Sequence, residues 1–299
     1  MRRLRRKKNN LSAAELDEMR AACQLAAETL MMVGEHIKPG MTTDEINTLV
    51  HDYTLAHDAY PAPLNYGGTR DRVPFPKSVC TSVNECVCHG IPGPYVLKDG
   101  DIVNVDVTSL LPAKDGFFGD TSATFYVGEP TPVAKHLVEV TRECLEIGIA
   151  QVRPGARVGD IGHAIQQHAE SKGCSVVREY TGHGIHRVFH DEPSIHHYGR
   201  PGTGAVLKRG MIFTIEPMIN LGRKEIVHLD DGWTVLTRDR SLSAQFEHTV
   251  LVTRSGVEVL TRRPGLLKNC EDVPWARLGP LSSAIGPAPS SEDEARSSA

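Results

Sequence analysis

Apolar residues recur at helical spacing in two similar blocks. After Ser12-Ala13-Ala14-Glu15, where Ser and Glu three residues apart form a capping box, Leu16, Met19, Cys23, Ala26, Leu30 and Val33 share one face of a helix expected over about 12–35. Lys38-Pro39-Gly40 ends it. Thr42 and Glu45 form a second box, and Ile46, Leu49, Val50 and Tyr53 give the next helix its apolar face. The design then returns: Thr131-Pro132 opens a helix with Val133, Leu137, Val138, Cys144 and Leu145 inward, Arg153-Pro154-Gly155 closes it, and Ile161 begins another. The two Pro-Gly junctions and their following isoleucines, Ile46 and Ile161, match at a constant offset of 115.

Each helix pair precedes strand-like segments. Residues 101–108 (DIVNVDVT) alternate, with Val103, Val105 and Val107 on one face and Asn104, Asp106 and Thr108 on the other; 120–127, 211–216 and 245–252 are the further strands. Helices then strands, twice, predict an α+β fold in which helices cover one face of a curved, largely antiparallel sheet.

The 299 residues are 40% apolar and 23% charged, a globular composition, and no apolar run has the ~18 residues of a membrane span. With 33 basic against 37 acidic residues, the balance argues against bulk binding to nucleic acid or an anionic membrane. Seven cysteines, odd in number and without a CxxC pair, read as small buried hydrophobes in a reducing compartment. Residues 1–11 form a basic tail without the apolar stretch of a signal peptide, residues 12–265 a single domain, and 279–299 a Pro/Ser/Ala-rich tail expected to be disordered. The basic tail reads first as a solvated segment and second as an arm on ribosomal RNA phosphates.

Asp106, Asp120, Glu216 and Glu247 stand in strand-like surroundings where carboxylates are poor formers and costly to bury, and no Lys or Arg lies within those segments. His183, flanked by Gly182 and Gly184, is presented rather than packed in a helix; His89 and His190 are further candidates, whereas His51, His57, His163 and His168 fall in amphipathic helices and read as surface residues. Four carboxylates and an imidazole balance two divalent ions and suit Mn, Fe, Co or Zn. Two such ions activate a shared water and polarise a carbonyl, the apparatus for amide hydrolysis. A Cys/His hydrolase using Cys80 or Cys88 is the alternative of another class.

The segments Asn104-Val105-Asp106-Val107-Thr108, Gly119-Asp120-Thr121, Gly182-His183-Gly184-Ile185, Thr214-Ile215-Glu216-Pro217 and Gln245-Phe246-Glu247-His248-Thr249 together resemble the metal-ligand motifs of the type I methionine aminopeptidases. Cys88-His89-Gly90-Ile91-Pro92 and Pro76-Lys77-Ser78-Val79-Cys80 resemble that family's substrate-side segments, and the likeness spans about residues 12–262. It implies a pita-bread fold with a pseudo-twofold internal repeat, and removal of N-terminal methionine before a small second residue by a hydroxide bridging two divalent metals. By the same resemblance Asp106, Asp120, His183, Glu216 and Glu247 hold the metals, with Glu216 also the proton carrier. His89 and His190 bind the scissile amide and stabilise the tetrahedral intermediate. Tyr66, Phe75, Cys80, Phe189 and Trp233 line the methionine pocket. The implied setting is a cytoplasmic monomer acting on nascent peptides with no membrane involved, the ribosome entering only through the second reading of the basic tail. Segments 67–74 and 109–114 are longer than the family norm. The 33 positions from His183 to Glu216 leave no room for the inserted subdomain of type II enzymes, and prolidases are the related runner-up. Pita-bread proteins that have lost catalysis, and serve as binding modules, lack one or more of these ligands.

Overall fold

The computed structural model describes residues 11–69 and 73–263. The first half runs α1 (Ala13–His36), α2 (Thr43–Ala56), β1 (Tyr60–Pro61), β2 (Cys80–Val83), β3 (Cys86–Cys88), β4 (Ile102–Leu111) and β5 (Phe117–Tyr126). The second half opens with α3 (Pro132–Ala150) and α4 (Val158–Ser171), followed by β6 (Ser175–Val176), β7 (Gly182–Gly184), β8 (Asp191–Ile195) and β9 (Ile212–Ile215). It closes with β10 (Met218–Asn220), β11 (Ile226–His228), β12 (Val235–Thr237), β13 (Ser243–Gln245), β14 (His248–Val252) and β15 (Val257–Val259).

Both expected capping boxes form. The Ser12 hydroxyl accepts from the Glu15 N–H while the Glu15 carboxylate takes the Ser12 N–H, and Thr42 and Glu45 do the same at α2. Thr131 caps α3, with Pro132 in the first turn. The repeat extends to backbone bonds. Gly40 and Gly155 share a φ of 89°, and their N–H groups donate to Leu97 and Leu207 at 2.8 and 2.9 Å. Leu97 and Leu207 in turn donate to Met41 and Ala156 at 2.8 and 2.7 Å. That φ is open to glycine at little cost, so the first helix of each pair is joined to the second by the same turn.

All strand pairings among the described residues are antiparallel. β4 lies between β1 and β2 on one side and β5 on the other, and the longest sheet of the second half has the order β15-β14-β9-β7-β8. The valines of β4 join Leu30, Val33 and Phe125 in the main core, which continues through α3 and α4. Helix α1 comes so near β5 that a Cβ on Gly119 would stand 2.2 Å from the Ala22 carbonyl oxygen. The halves meet along a polar seam: Glu247 N–H donates to the Ser122 carbonyl (3.0 Å), Asn104 Nδ2 and Thr124 Oγ1 both donate to the Gln245 carbonyl (2.8 Å each), and Thr249 Oγ1 donates to the Asp120 carbonyl (2.8 Å).

The segment after Thr108 extends the β4–β5 hairpin, whose ladder runs from Ile102↔Tyr126 to Leu111↔Phe117. Two expectations change. Glu216 and Glu247 lie just outside strands, past β9 and between β13 and β14, where the strand pairing is interrupted for two residues. Of the four histidines read as surface residues, His57, at the end of α2, is well exposed and the other three are half-buried; His51 Nδ1 lies 2.8 Å from the Ser78 hydroxyl and His168 Nε2 2.7 Å from Glu143. The residues 1–10 of the basic tail, and 279–299, lie outside the described residues. Among the described residues no helix is long and apolar enough to cross a membrane.

Candidate metal centre and substrate pocket

Strands β4 and β5 deliver Asp106 and Asp120, and both point away from the helix-covered face because they alternate with core residues. His183 arrives on β7, a strand only three residues long. A Cβ on Gly182 would stand 2.3 Å from the Thr214 carbonyl oxygen and one on Gly184 2.3 Å from that of Glu192, so both glycines are what allows the neighbouring strands to close around the imidazole. Glu216 and Glu247 come from the strand breaks just described.

All twelve residues singled out from the sequence line one cavity of about 220 Å³, together with Pro63, Thr108 and Tyr180. Its floor is polar. One ligand atom each from Asp120, His183 and Glu247 lie within 4.8 Å of one another, and His183 Nε2 stands 3.6 Å from both Asp120 Oδ2 and Glu216 Oε1. Asp106 completes the group through its charge, although it falls outside that tightest set of three. The wall is aromatic. Phe75 meets Trp233 edge-on at 5.3 Å, Tyr66 meets Phe189 at 4.9 Å, and Cys80 packs with Phe75 and Trp233. Trp233 Nε1–H donates to the Val73 carbonyl at 2.9 Å, which ties Val73 to the pocket.

The protein's own charges leave this floor short of positive charge. Burial first, and then the neighbouring carboxylates, push Asp106 and Glu247 well above the usual carboxylate range. Glu216 is raised to about 7 by burial, against the opposing pull of His183 and the Thr214 hydroxyl. Burial disfavours the charged form of His183, but the hydrogen bond to Asp120 and the charges of Glu216 and Asp120 outweigh it and raise the ring to about 9. Asp106 Oδ1 is buried without a hydrogen-bond partner among the described residues. Buried oxygens with no donor, carboxylates forced toward neutrality and an imidazole whose Nδ1 faces the Gly184 carbonyl (3.2 Å) while Nε2 faces inward form a donor set that fits divalent cations.

The two other histidines sit above this floor. His190 Nδ1 lies 2.7 Å from the Tyr66 hydroxyl, and burial and the charge of His183 lower its pKa to about 4. His89 is held at a φ of 55°, an uncommon conformation for a side-chain-bearing residue, with its ring edge-on to Tyr180 at 5.2 Å. The thiol alternative has no support from the geometry: burial raises Cys80 and Cys88 well above an ordinary thiol, so neither is poised as a thiolate. The described cysteines are all buried and free.

Sequence reasoning missed the residues that hold the carboxylates. Thr108 Oγ1 donates to Asp120 Oδ1 at 2.8 Å, Thr214 Oγ1 to Glu216 Oε1 at 2.7 Å, and Gln245 Nε2 to Glu216 Oε2 at 3.3 Å. Thr214 and Gln245 lie two residues before a carboxylate, and Thr108 two after Asp106, a spacing that could have exposed them. Arg263 could not have been found that way. It is 8% exposed and its Nη2 donates to the carbonyls of Ser122 (2.9 Å) and Glu247 (3.4 Å). It is thus a cation supplied from outside the strand segments. His197, fully buried and lowered to about 3 by burial and His196, accepts the Glu216 N–H at Nε2 (3.1 Å).

The profile of metallopeptidase family M24 matches residues 17–254. The methionine aminopeptidase of Rickettsia prowazekii is 57% identical over 248 residues, covering 83% of this chain and 92% of that protein. The crystal structure of methionine aminopeptidase from that organism superposes with a TM-score of 0.80 at 55% identity, covering 85% of this chain and 99% of that one. The prolidase from Pyrococcus horikoshii, 20% identical with a TM-score of 0.66 over 86% of this chain and 65% of its own, shares the fold alone. With a profile match over most of its length and close relatives aligned nearly end to end, the chain belongs to metallopeptidase family M24 and, within it, to the methionine aminopeptidases.

Proposed function

We propose that this chain removes the N-terminal methionine of peptides and nascent proteins whose second residue is small, using two divalent ions held by Asp106, Asp120, His183, Glu216 and Glu247. The observation that carries the reading is one cavity with four carboxylates and an imidazole on its floor and Tyr66, Phe75, Phe189 and Trp233 on its wall. When bound, the ions supply a Lewis acid for the scissile carbonyl and an acidified water. The rest is done by the chain. Glu216, held by the Thr214 hydroxyl and the Gln245 amide at the cavity floor, is assigned to taking a proton from water and returning it to the leaving amide nitrogen. With the Tyr66 hydroxyl, 2.7 Å away, assigned as donor to His190 Nδ1, the ring proton falls on Nε2, the donor assigned to the developing oxyanion. His89 is assigned to the scissile amide.

The cavity, about 220 Å³, is below the ~300–1,000 Å³ of pockets for drug-sized ligands and suits a single side chain. An unbranched thioether fits an aromatic wall with favourable sulfur contacts. The two histidines crowd the bond beyond it, so Ala, Gly or Ser is accepted at the second position and Leu or Lys is rejected. The test is a panel of Met-Xaa peptides and Xaa-Pro dipeptides, run with and without a chelator. Release of methionine from Met-Ala-Ser, abolished by chelation and restored by divalent metal, is expected. Preferential cleavage of Xaa-Pro with another first residue would overturn the reading.

A further inference from the structure

Glu216 stands where β9 has just ended. Its ladder with β14 stops at Ile215, so the Glu216 N–H has left the sheet, and the next residue, Pro217, has no N–H with which to continue one. A buried backbone N–H of this kind needs an acceptor. It finds one in the imidazole of His197, whose Nε2 lies 3.1 Å away and which comes from the segment after β8. His197 is 0% exposed and takes no part in lining the cavity, so it touches no substrate. Because a backbone N–H only donates, Nε2 is unprotonated and the neutral ring carries its proton on Nδ1. That nitrogen meets no hydrogen-bond partner among the described residues. A ring kept for packing alone would be better served by an apolar side chain of similar shape; what His197 adds is the acceptor.

We infer that His197 is a positioning residue: by fixing the main chain at Glu216, it sets where that carboxylate sits between its two side-chain donors, Thr214 and Gln245. The inference rests on the proposed role of Glu216 as metal ligand and proton carrier. Partners of this outer kind typically change metal affinity or activity ~10–100-fold when lost.

The experiment compares His197→Leu, which removes the acceptor, with His197→Gln, whose side-chain oxygen can take the place of Nε2. Mn²⁺ binding to chelator-stripped protein is measured by titration calorimetry, alongside kcat and KM on Met-Ala-Ser and the thermal midpoint. His197→Leu is expected to bind Mn²⁺ ~10-fold or more weakly and to lose kcat in proportion, with KM little changed, and His197→Gln to recover most of both. Should His197→Leu fail to fold, His197→Asn, whose shorter amide falls short of the Glu216 N–H, takes its place with the same expectation. Parental Mn²⁺ affinity and kcat in the Leu or Asn variant, or a Gln variant as impaired as they are, would overturn the inference. Glu216→Gln in the same titration separates the two levels: unchanged Mn²⁺ binding there refutes the role of Glu216 itself, whereas weakened binding there with parental binding in the His197 variants refutes only the role of His197.

Discussion

Glu216→Gln removes a buried negative charge while keeping a side chain of nearly the same size. In the metal-free protein, burial raises the Glu216 carboxyl from 4.5 to about 7. The folded state therefore holds this proton more tightly than the unfolded state. Its contribution to stability is fully present below the unfolded value and is lost as the pH rises toward the folded one. Across that interval the loss amounts to ~3 kcal/mol. Gln has no proton to lose, so the variant should gain on the parent by that amount, or ~6–12 °C in melting temperature for a domain of this size. Comparison with the parent cancels the histidines His190, His197 and His248, whose lowered values give the opposite slope. The assay is calorimetric unfolding of both proteins in excess chelator at about pH 5 and about pH 7.5. With saturating Mn²⁺ the order should reverse, because the parent gains more from binding the ion, and turnover of the loaded variant should fall by at least ~10²-fold. Melting temperatures that run parallel with pH in chelator would refute the claim that this carboxylate is an uncompensated buried charge.

His89→Ala should keep the metal content of the parent and lose most of kcat, as measured by metal analysis beside peptide turnover; a fall in metal content would make His89 a ligand instead. Gly119→Ala forces a methyl group against the Ala22 carbonyl and should cost ~3 kcal/mol or more, read as a lower urea midpoint; an unchanged midpoint would mean that α1 can move off β5 freely. Trp233→Phe keeps a ring but loses the bond to the Val73 carbonyl, worth ~1 kcal/mol, so KM for Met-Ala-Ser should rise about fivefold with kcat nearly unchanged. Equal losses in kcat would place the indole in the reaction rather than in the pocket.

The local part of this structure was legible because its causes are local. Ser12 with Glu15 and Thr42 with Glu45 mark helix starts through bonds made three residues apart, and the alternation in β4 assigns Asp106 to the face opposite the valines. The repeated Pro-Gly junction was visible for the same reason. The carboxylates and His183 followed from the chemistry that carboxylates in strand-like segments demand, whereas the aromatic pocket residues came from the family resemblance alone. What the chain pattern did not carry is the supporting layer, since those contacts join distant segments. Arg263 reaches Ser122 across 141 positions and His197 reaches Glu216 across 19, with no periodicity linking either pair. The strand breaks at Glu216 and Glu247 were also hidden, because strand propensity alone continues each segment through its carboxylate.

The seam between the halves gives the floor of the cavity a mechanical meaning. Asp106 and Asp120 belong to the segment ending at Tyr126, whereas His183, Glu216 and Glu247 belong to the one beginning at Pro132. Neither half owns a complete set of donors. An ion seated among these proposed donors would be a latch across two docked lobes, opened by separating them, so that ion release and loss of the docked state would become a single cooperative event. Fragments cut between Tyr126 and Pro132 should reassociate more tightly with a divalent cation than without one, which makes the ion a reporter of assembly as well as a reagent.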